Sequence, residues 1–190
     1  MTTLIQPSPL LFLTRPRVAF QALLEQPRGT RLFLLWGVLA VTSGLEGLAS
    51  YFIVQVIPPA AAVLAAVLRG AAWSSVLVWL YPVLFGWVSR GLGAVTDTRA
   101  FRHVAVHASI PQILSSVLVL LAAPNQLGSV AMLPHAGLVW ALILTGVGLG
   151  VANGTSGWRG FTHVVCAHLI LGALVLMVYV PVAVLLAMLP

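Results

Sequence analysis

The sequence predicts an all-α membrane protein that crosses the bilayer five times. The chain has 190 residues, of which 61% are hydrophobic and only 6% are charged. A soluble domain carries roughly a quarter charged residues, so this chain holds more apolar sequence than one soluble core could bury. Five apolar runs reach the roughly 20 residues that a spanning helix needs. The fold class is therefore a polytopic, multi-pass membrane protein.

The five apolar runs lie between short polar or proline-rich segments. In chain order, the predicted spans are residues 32–53, 70–92, 103–122, 134–152 and 163–188. Prolines within the second, third and fifth spans each remove a backbone hydrogen-bond donor and so predict helix kinks at Pro82, Pro111 and Pro181.

Residues 56–68 form a sixth apolar stretch that is too short to cross the bilayer by itself. Pro58 and Pro59 separate it from the first span. We interpret it either as a short helix at the outer surface or as a re-entrant segment.

The basic residues orient the spans. All nine are arginines, and eight of them fall on one side of the membrane if there are five spans. Only Arg69 falls on the other side. Positive charge favours the cytoplasm, which puts the amino terminus inside and the carboxyl terminus outside. Because the arginines are scattered at the ends of apolar runs, the net charge of +6 does not indicate nucleic-acid binding.

Residues 1–31 are predicted to form a cytoplasmic segment, and residues 32–190 a five-helix transmembrane domain. Within the first, residues 14–26 show the period of an amphipathic helix, since Ala19, Phe20 and Leu23 share one face. We expect this helix to lie on the inner surface of the membrane.

Two similar hexapeptides, "RAFRHV" at 99–104 and "RGFTHV" at 159–164, recur at a spacing of 60 residues. They indicate either a duplicated two-helix hairpin or convergence, because any inner helix end favours an arginine, an aromatic and a tolerant polar residue. On either interpretation, five polar residues are expected at the inner interface: Arg99, Arg102, His103, Arg159 and His163.

Polar side chains within spans are costly and are candidates for function. His107 and His168 are predicted to face the bundle interior at matching depth, with His107 near the carbonyl that Pro111 frees. Glu46 is the only acid within a span, and we expect it to bond to hydroxyls at its own depth. Those hydroxyls include Ser115 and Ser116.

Haem, metal and protease sites have weaker support in the sequence. His107 and His168 could form a pair of haem ligands, but nothing else marks a haem pocket. A metal site is not predicted, because a zinc site wants three or four ligands. "GTSG" at 154–157 resembles the nucleophile motif of rhomboid proteases, which take their histidine from a later span. Here the motif lies in the loop before the fifth span, and no further span follows that one. A glycine-rich turn is therefore the preferred interpretation. We expect no enzymatic activity and no cofactor.

The order of features along nearly the whole chain resembles the Ypt-interacting-protein (Yip) family in its short prokaryotic form. The resemblance rests on "RPRVAFQALLEQPR", on the proline-bearing "WLYPVLFGWVSRGLG", on "FRHVAVHASIPQIL" and on "GTSGWRGFTHVV". It implies five spans and a cytoplasmic amino terminus. Eukaryotic relatives bind small GTPases through a long cytosolic region, which here is only about thirty residues.

These observations predict a non-enzymatic protein of the cell inner (plasma) membrane that organises or assists other membrane components through helix and lipid contacts. Its expected partners are membrane lipids and other membrane proteins or a second copy of itself. The alternative is a small transporter or channel that uses Glu46 and the kinked third and fifth spans. A haem-binding membrane subunit is the remote alternative.

Overall fold

The computed structural model describes residues 8–25, 31–53, 56–94, 97–122 and 133–187, and every regular element in these ranges is helical. Parts of the predicted amino-terminal segment, residues 1–7 and 26–30, lie outside them. The helices are α1 Pro9–Thr14, α2 Pro16–Glu25, α3 Arg31–Ile53, α4 Ala60–Ser75, α5 Tyr81–Gly91, α6 Thr98–Ala108, α7 Ile110–Ala122, α8 Leu133–Ala152 and α9 Gly157–Ala187.

Four helical stretches in the described residues are long and apolar enough to cross a membrane. They are Ala60–Gly91, Thr98–Leu121, Leu133–Ala152 and Gly157–Met177. A shorter apolar helix, Leu32–Leu48, forms most of α3. The prediction of a helical membrane protein is confirmed, with four of the five predicted spans reaching spanning length.

The prediction for residues 56–68 was wrong. Instead of forming a separate surface or re-entrant element, residues 60–68 begin the second long helix, which continues without a break to Gly91. Pro59 precedes its first residue in an extended conformation, with φ −64° and ψ 152°. No further proline follows until Pro82, so nothing in the alanine-rich stretch ends the helix. Arg69 therefore lies within a helix and not in an outer loop.

Two of the three predicted kinks coincide with irregular backbone. Just before Pro82, residues 76–80 form a π-helical turn, in which the wider ring accommodates the carbonyl that the proline cannot bond. Before Pro111, the helix breaks at Ser109, whose hydroxyl donates to the carbonyl of Ala105 at 2.9 Å. By contrast, α9 continues through Pro181 to Ala187.

The amino-terminal helices pack on the protein. The Phe12 and Phe20 side chains, 1% and 0% exposed, contact each other edge to face with ring centroids 5.1 Å apart. They join a core built from α5, α6, α8 and α9. The position of the helix predicted at 14–26 on the inner surface of the membrane stays a prediction. The helix is present over Pro16–Glu25, and Ala19 and Phe20 of its apolar face are buried. Its aromatic side chain fills the space left by Gly148 of α8, so protein covers this face.

Glycines set the closest helix crossings. A Cβ at Gly70 of α4 would lie 2.9 Å from the backbone nitrogen of Gly44, so α3 and α4 cross there in backbone contact. Gly146 and Gly150 form a small-residue face of α8 that meets α9 in the same way, since a Cβ at Gly146 would lie 2.9 Å from Cα of Phe161. Small residues permit this close approach between apolar helices.

Candidate functional site: a polar cavity between four helices

A cavity of about 470 Å³ lies between α3, α4, α7 and α8 and is partly open to the outside. Its walls are largely apolar, with contributions from Ala72, Val76, Pro134 and Leu138. The polar side chains that line it are Ser43, Glu46, Arg69, Gln112 and His135. An acid and a base thus face the same space within the bundle.

Glu46 is held in place by α7. The Ser116 hydroxyl donates to Oε2 of Glu46 at 3.2 Å, which is the kind of bond that the sequence predicted for this acid. Ser115, the other predicted partner, turns away and donates to the carbonyl of Gln112 on its own helix at 2.9 Å. Ile53 ends α3 seven residues after Glu46, so the carboxylate lies about 10 Å along the helix from that end.

Arg69 approaches the cavity from α4. A Cβ at Gly47 would lie 3.6 Å from one terminal nitrogen of Arg69, so the guanidinium passes over this glycine on α3. Arg69 lies nine residues after the start of α4, or about 13 Å along the helix. Its depth is therefore similar to that of Glu46, because the two helices run antiparallel.

Sequence reasoning missed three of the cavity residues. Arg69 had been interpreted only as a marker of an outer loop, and Gln112 and His135 had not been singled out. A signal existed for Arg69, because an arginine with nine helical residues on its amino side and many on its other side is costly in a membrane unless it faces a polar space. His135, near the start of α8, carries no such signal.

The two predicted interior histidines share a local geometry. Nδ1 of His107 donates to the carbonyl of His103 at 2.8 Å, and Nδ1 of His168 donates to the carbonyl of Val164 at 2.7 Å. Each bond stays within one helix. The bond to the preceding turn is available without any movement of neighbouring helices.

The rings of these two histidines have different neighbours. The His107 ring stacks on Phe12, with centroids 5.3 Å apart, and the His168 ring packs on Tyr81 at 5.0 Å. Among the described residues, no group of three or more His, Cys, Asp or Glu side chains could hold a metal ion. The paired-haem-ligand hypothesis stays a prediction, which an absorption spectrum of the purified protein tests.

His163 is buried, whereas an interfacial residue was expected to reach water and lipid phosphate. It is 5% exposed, and its Nδ1 is 2.9 Å from the Ser89 hydroxyl and 3.3 Å from Nδ2 of Asn153. The Asn153 amide nitrogen can only donate, so Nδ1 is the acceptor and the Ser89 hydroxyl donates to it. This cluster ties α5 to α9 and to the turn that precedes α9, and Ser89 is fully buried.

The remaining predicted interfacial residues fall into two groups. Arg99 and Arg159 are exposed. Arg102 and His103 are half-buried. The guanidinium of Arg102 lies 4.7 Å from the ring centroid of Trp79, so this arginine packs on an aromatic face. The interfacial position of these four residues stays a prediction.

The "GTSG" segment forms the turn between α8 and α9. Gly154 has a φ of +64°, a conformation that glycine adopts without strain. The Ser156 hydroxyl accepts a hydrogen bond from the backbone N–H of Arg159 at 3.3 Å. Ser156 therefore caps the start of α9, which agrees with the preferred interpretation as a turn.

The comparisons with known proteins identify the family. The family model of the Yip1 domain matches residues 10–180, which is nearly the whole chain. The chain belongs to the Yip1 domain family. This confirms the resemblance drawn from the sequence. No curated protein and no solved structure matches the chain.

For a Yip1 domain, the match and the apolar helices together mean an integral membrane protein. The matched range begins within α1 and ends within α9, so it includes the polar cavity, the Ser89–His163–Asn153 cluster and both amino-terminal helices.

Proposed function

We propose that this Yip1 domain protein crosses the cell inner membrane five times, with its amino terminus in the cytoplasm and its carboxyl terminus outside. The revised helix boundaries support this topology. Once Arg69 belongs to α4, neither the segment between α3 and α4 nor that between α7 and α8 contains a charged residue. In sequence order, the arginines other than Arg69 precede α3, begin it, or lie at the helix ends next to the α5–α6 and α8–α9 connections. With five spans these positions share one side of the membrane, as the positive-inside rule requires.

We propose further that the protein is not an enzyme and that it organises or assists other membrane proteins through helix contacts. The observation that carries this proposal is the apolar surface of α9. Leu174, Val175, Leu176 and Met177 are all 52–72% exposed. Four consecutive residues cover every side of a helix, so this segment packs against little of the chain itself. Such a surface suits the helix of a partner membrane protein.

Site-specific photo-crosslinking in native membranes tests the organising role. A photoreactive amino acid at Met177 is expected to give discrete protein adducts, which mass spectrometry then identifies as another protein or a second copy. The control position is Trp158, which is 77% exposed at the other end of the same helix. If Met177 gives only lipid adducts, the proposal is wrong.

A small transporter is the second candidate, and one observation favours it: Glu46 and Arg69 line a common cavity. The lining residues come from α3, α4, α7 and α8 and from the start of the π-helical turn. Gln112 of α7, three residues after the break at Ser109, lines this space, but Pro181 on α9 does not. Flux into proteoliposomes that Glu46→Gln abolishes would support this candidate over the organising role.

A further inference from the structure

We propose that the cavity between α3, α4, α7 and α8 binds a small zwitterion, whose ammonium group pairs with Glu46 and whose anionic group pairs with Arg69. This goes beyond the proposed organising role and does not depend on it, because a bound ligand could serve transport or membrane organisation equally. The ligand class follows from the charges, the neighbouring donors and the size of the cavity.

The two charges are brought to one place by the crossing of α3 and α4. The contact between Gly44 and Gly70 fixes the register of these helices, and it leaves Glu46 and Arg69 on adjacent turns facing the same cavity. Within the described residues, no ion pair joins Glu46 to Arg69. Each charge in the bundle is costly without a partner, and a zwitterion supplies a partner to both.

Arg69 and its neighbours in the cavity lining offer hydrogen-bond donors suited to an anion. The planar guanidinium matches a carboxylate or a phosphate through two parallel hydrogen bonds. The Gln112 amide and the His135 imidazole line the same cavity and can donate as well. A neutral polar solute would leave the charge of Arg69 uncompensated.

The Glu46 carboxylate is suited to bind an ammonium group. The bond from Ser116 occupies one site on the carboxylate, and its remaining lone pairs are available to a donor. Trp73 also lines the cavity, and an indole ring attracts an ammonium group through its π face. Glu46 and Arg69 together favour a ligand that carries both an ammonium and an anionic group over one that carries only one of them.

The volume fits a small ligand. About 470 Å³ lies within the range of ligand pockets, roughly 300–1,000 Å³. Two sources supply this chemistry: a free zwitterion of the amino-acid type, or the headgroup of a zwitterionic phospholipid. Leu64, Val67 and Leu68 on α4 are each about 60% exposed and would meet the acyl chains of such a lipid.

The experiment compares whole and half ligands on the purified wild-type protein. In the solute arm, calorimetry measures glycine against acetate and methylamine, each of which carries one of its charges. In the lipid arm, native mass spectrometry measures retention of phosphatidylethanolamine against phosphatidylglycerol. We expect at least one zwitterion to bind about tenfold more tightly than its singly charged counterparts, since one charge-assisted hydrogen bond is worth that factor.

Variants then assign the binding to the cavity. Glu46→Gln and Arg69→Gln should each weaken the preferred zwitterion about tenfold. Glu25→Gln and Arg90→Gln, which remove an acid and a base from outside the cavity, should leave binding unchanged. The pair Glu46→Arg with Arg69→Glu keeps opposite charges in place and should bind better than either single variant.

The outcomes separate cleanly. Selective phosphatidylethanolamine retention identifies a lipid site, and glycine binding identifies a solute site. If neither zwitterion is preferred by the wild type, or if well-folded cavity variants bind as the wild type does, the inference is overturned. Should the single variants fail to fold, the wild-type comparison of whole and half ligands still decides. The crosslinking result at Met177 is independent of all these outcomes.

Discussion

The Ser89 hydroxyl on α5 lies 2.9 Å from Nδ1 of His163 on α9, and both side chains are buried. Asn153, in the turn before α9, donates to the Ser89 oxygen at 3.3 Å. Three segments that are far apart in sequence are therefore tied together by neutral hydrogen bonds in a region otherwise filled by apolar side chains. A polar group in such a place is costly unless it is paired.

Removing one member of this cluster should destabilise the fold. His163→Leu leaves the Ser89 hydroxyl and the Asn153 amide without their acceptor, at a cost of about 1–3 kcal/mol in the free energy of unfolding. Thermal unfolding in detergent measures the effect. Thr162→Val, at an exposed neighbouring position, is the control and should be nearly neutral. If His163→Leu and Thr162→Val melt alike, the cluster carries no stability.

The burial of His163 shows what sequence alone could not supply. A histidine four residues after an arginine at the start of a span is typical of an interface, and this sequence fits that pattern. Its actual partner, Ser89, is 74 residues away, and no periodicity links the two. By contrast, the helices themselves follow from local apolar patterns, and the prediction of a helical membrane protein was confirmed.

The error over residues 56–68 has a different cause. A prediction from hydropathy ends an apolar run at a charged residue. The charge of Arg69 therefore divided one long helix into a predicted short stretch, 56–68, and a predicted span, 70–92. The helix itself does not end at Arg69, because alanine and arginine both have high helix propensity. What stabilises the charge is the cavity, which exists only once α3, α7 and α8 have packed, and so half of the candidate site could not be predicted.

Burial of Phe20 predicts that α2 is part of the folded domain. Phe20→Ala should lower the free energy of unfolding by about 3–5 kcal/mol, because a fully buried aromatic side chain is removed from a close-packed core. Val18→Ala lies on the same helix at a 51% exposed position and should cost far less. Chemical denaturation in detergent gives both values. Equal effects would mean that α2 rests on lipid rather than on the protein.

Helices α8 and α9 cross in backbone contact at Gly160, so this position has no room for a side chain. A Cβ there would lie 2.9 Å from Cα of Gly150, so Gly160→Ala must push the helices apart. The gain in helix propensity, about 1 kcal/mol, is smaller than a typical overpacking cost of 1–3 kcal/mol. We expect a net loss of thermal stability for Gly160→Ala.

Gly172→Ala provides the matched control on the same helix, because nothing lies within 4 Å of a Cβ at that position. It should be neutral or stabilising, since only the propensity gain remains. A lower melting temperature for Gly172→Ala than for Gly160→Ala would contradict the crossing seen in the structure.

The proposed topology predicts the behaviour of fused reporters. A reporter that is active only in the cytoplasm should work when inserted after Gly93, between α5 and α6, because arginines lie at the helix ends next to that connection. The same reporter should be inactive at the carboxyl terminus, and a reporter active only outside should give the reverse pattern. A carboxyl terminus found in the cytoplasm would refute five spans with the amino terminus inside.

The bond between Ser116 and Glu46 separates two substitutions of the acid. Glu46→Gln keeps an oxygen that can accept from Ser116, so folding should be close to normal. Glu46→Leu removes the acceptor and leaves the Ser116 hydroxyl without its partner on α3, which should cost about 1–3 kcal/mol. The thermal midpoint in detergent distinguishes the two variants. Because Ser116→Ala removes the donor, adding it to Glu46→Leu should lower the stability less than it does in the wild type, as coupled residues require. Equal stability of the Gln and Leu variants would show that the bond from Ser116 to the carboxylate contributes nothing to folding.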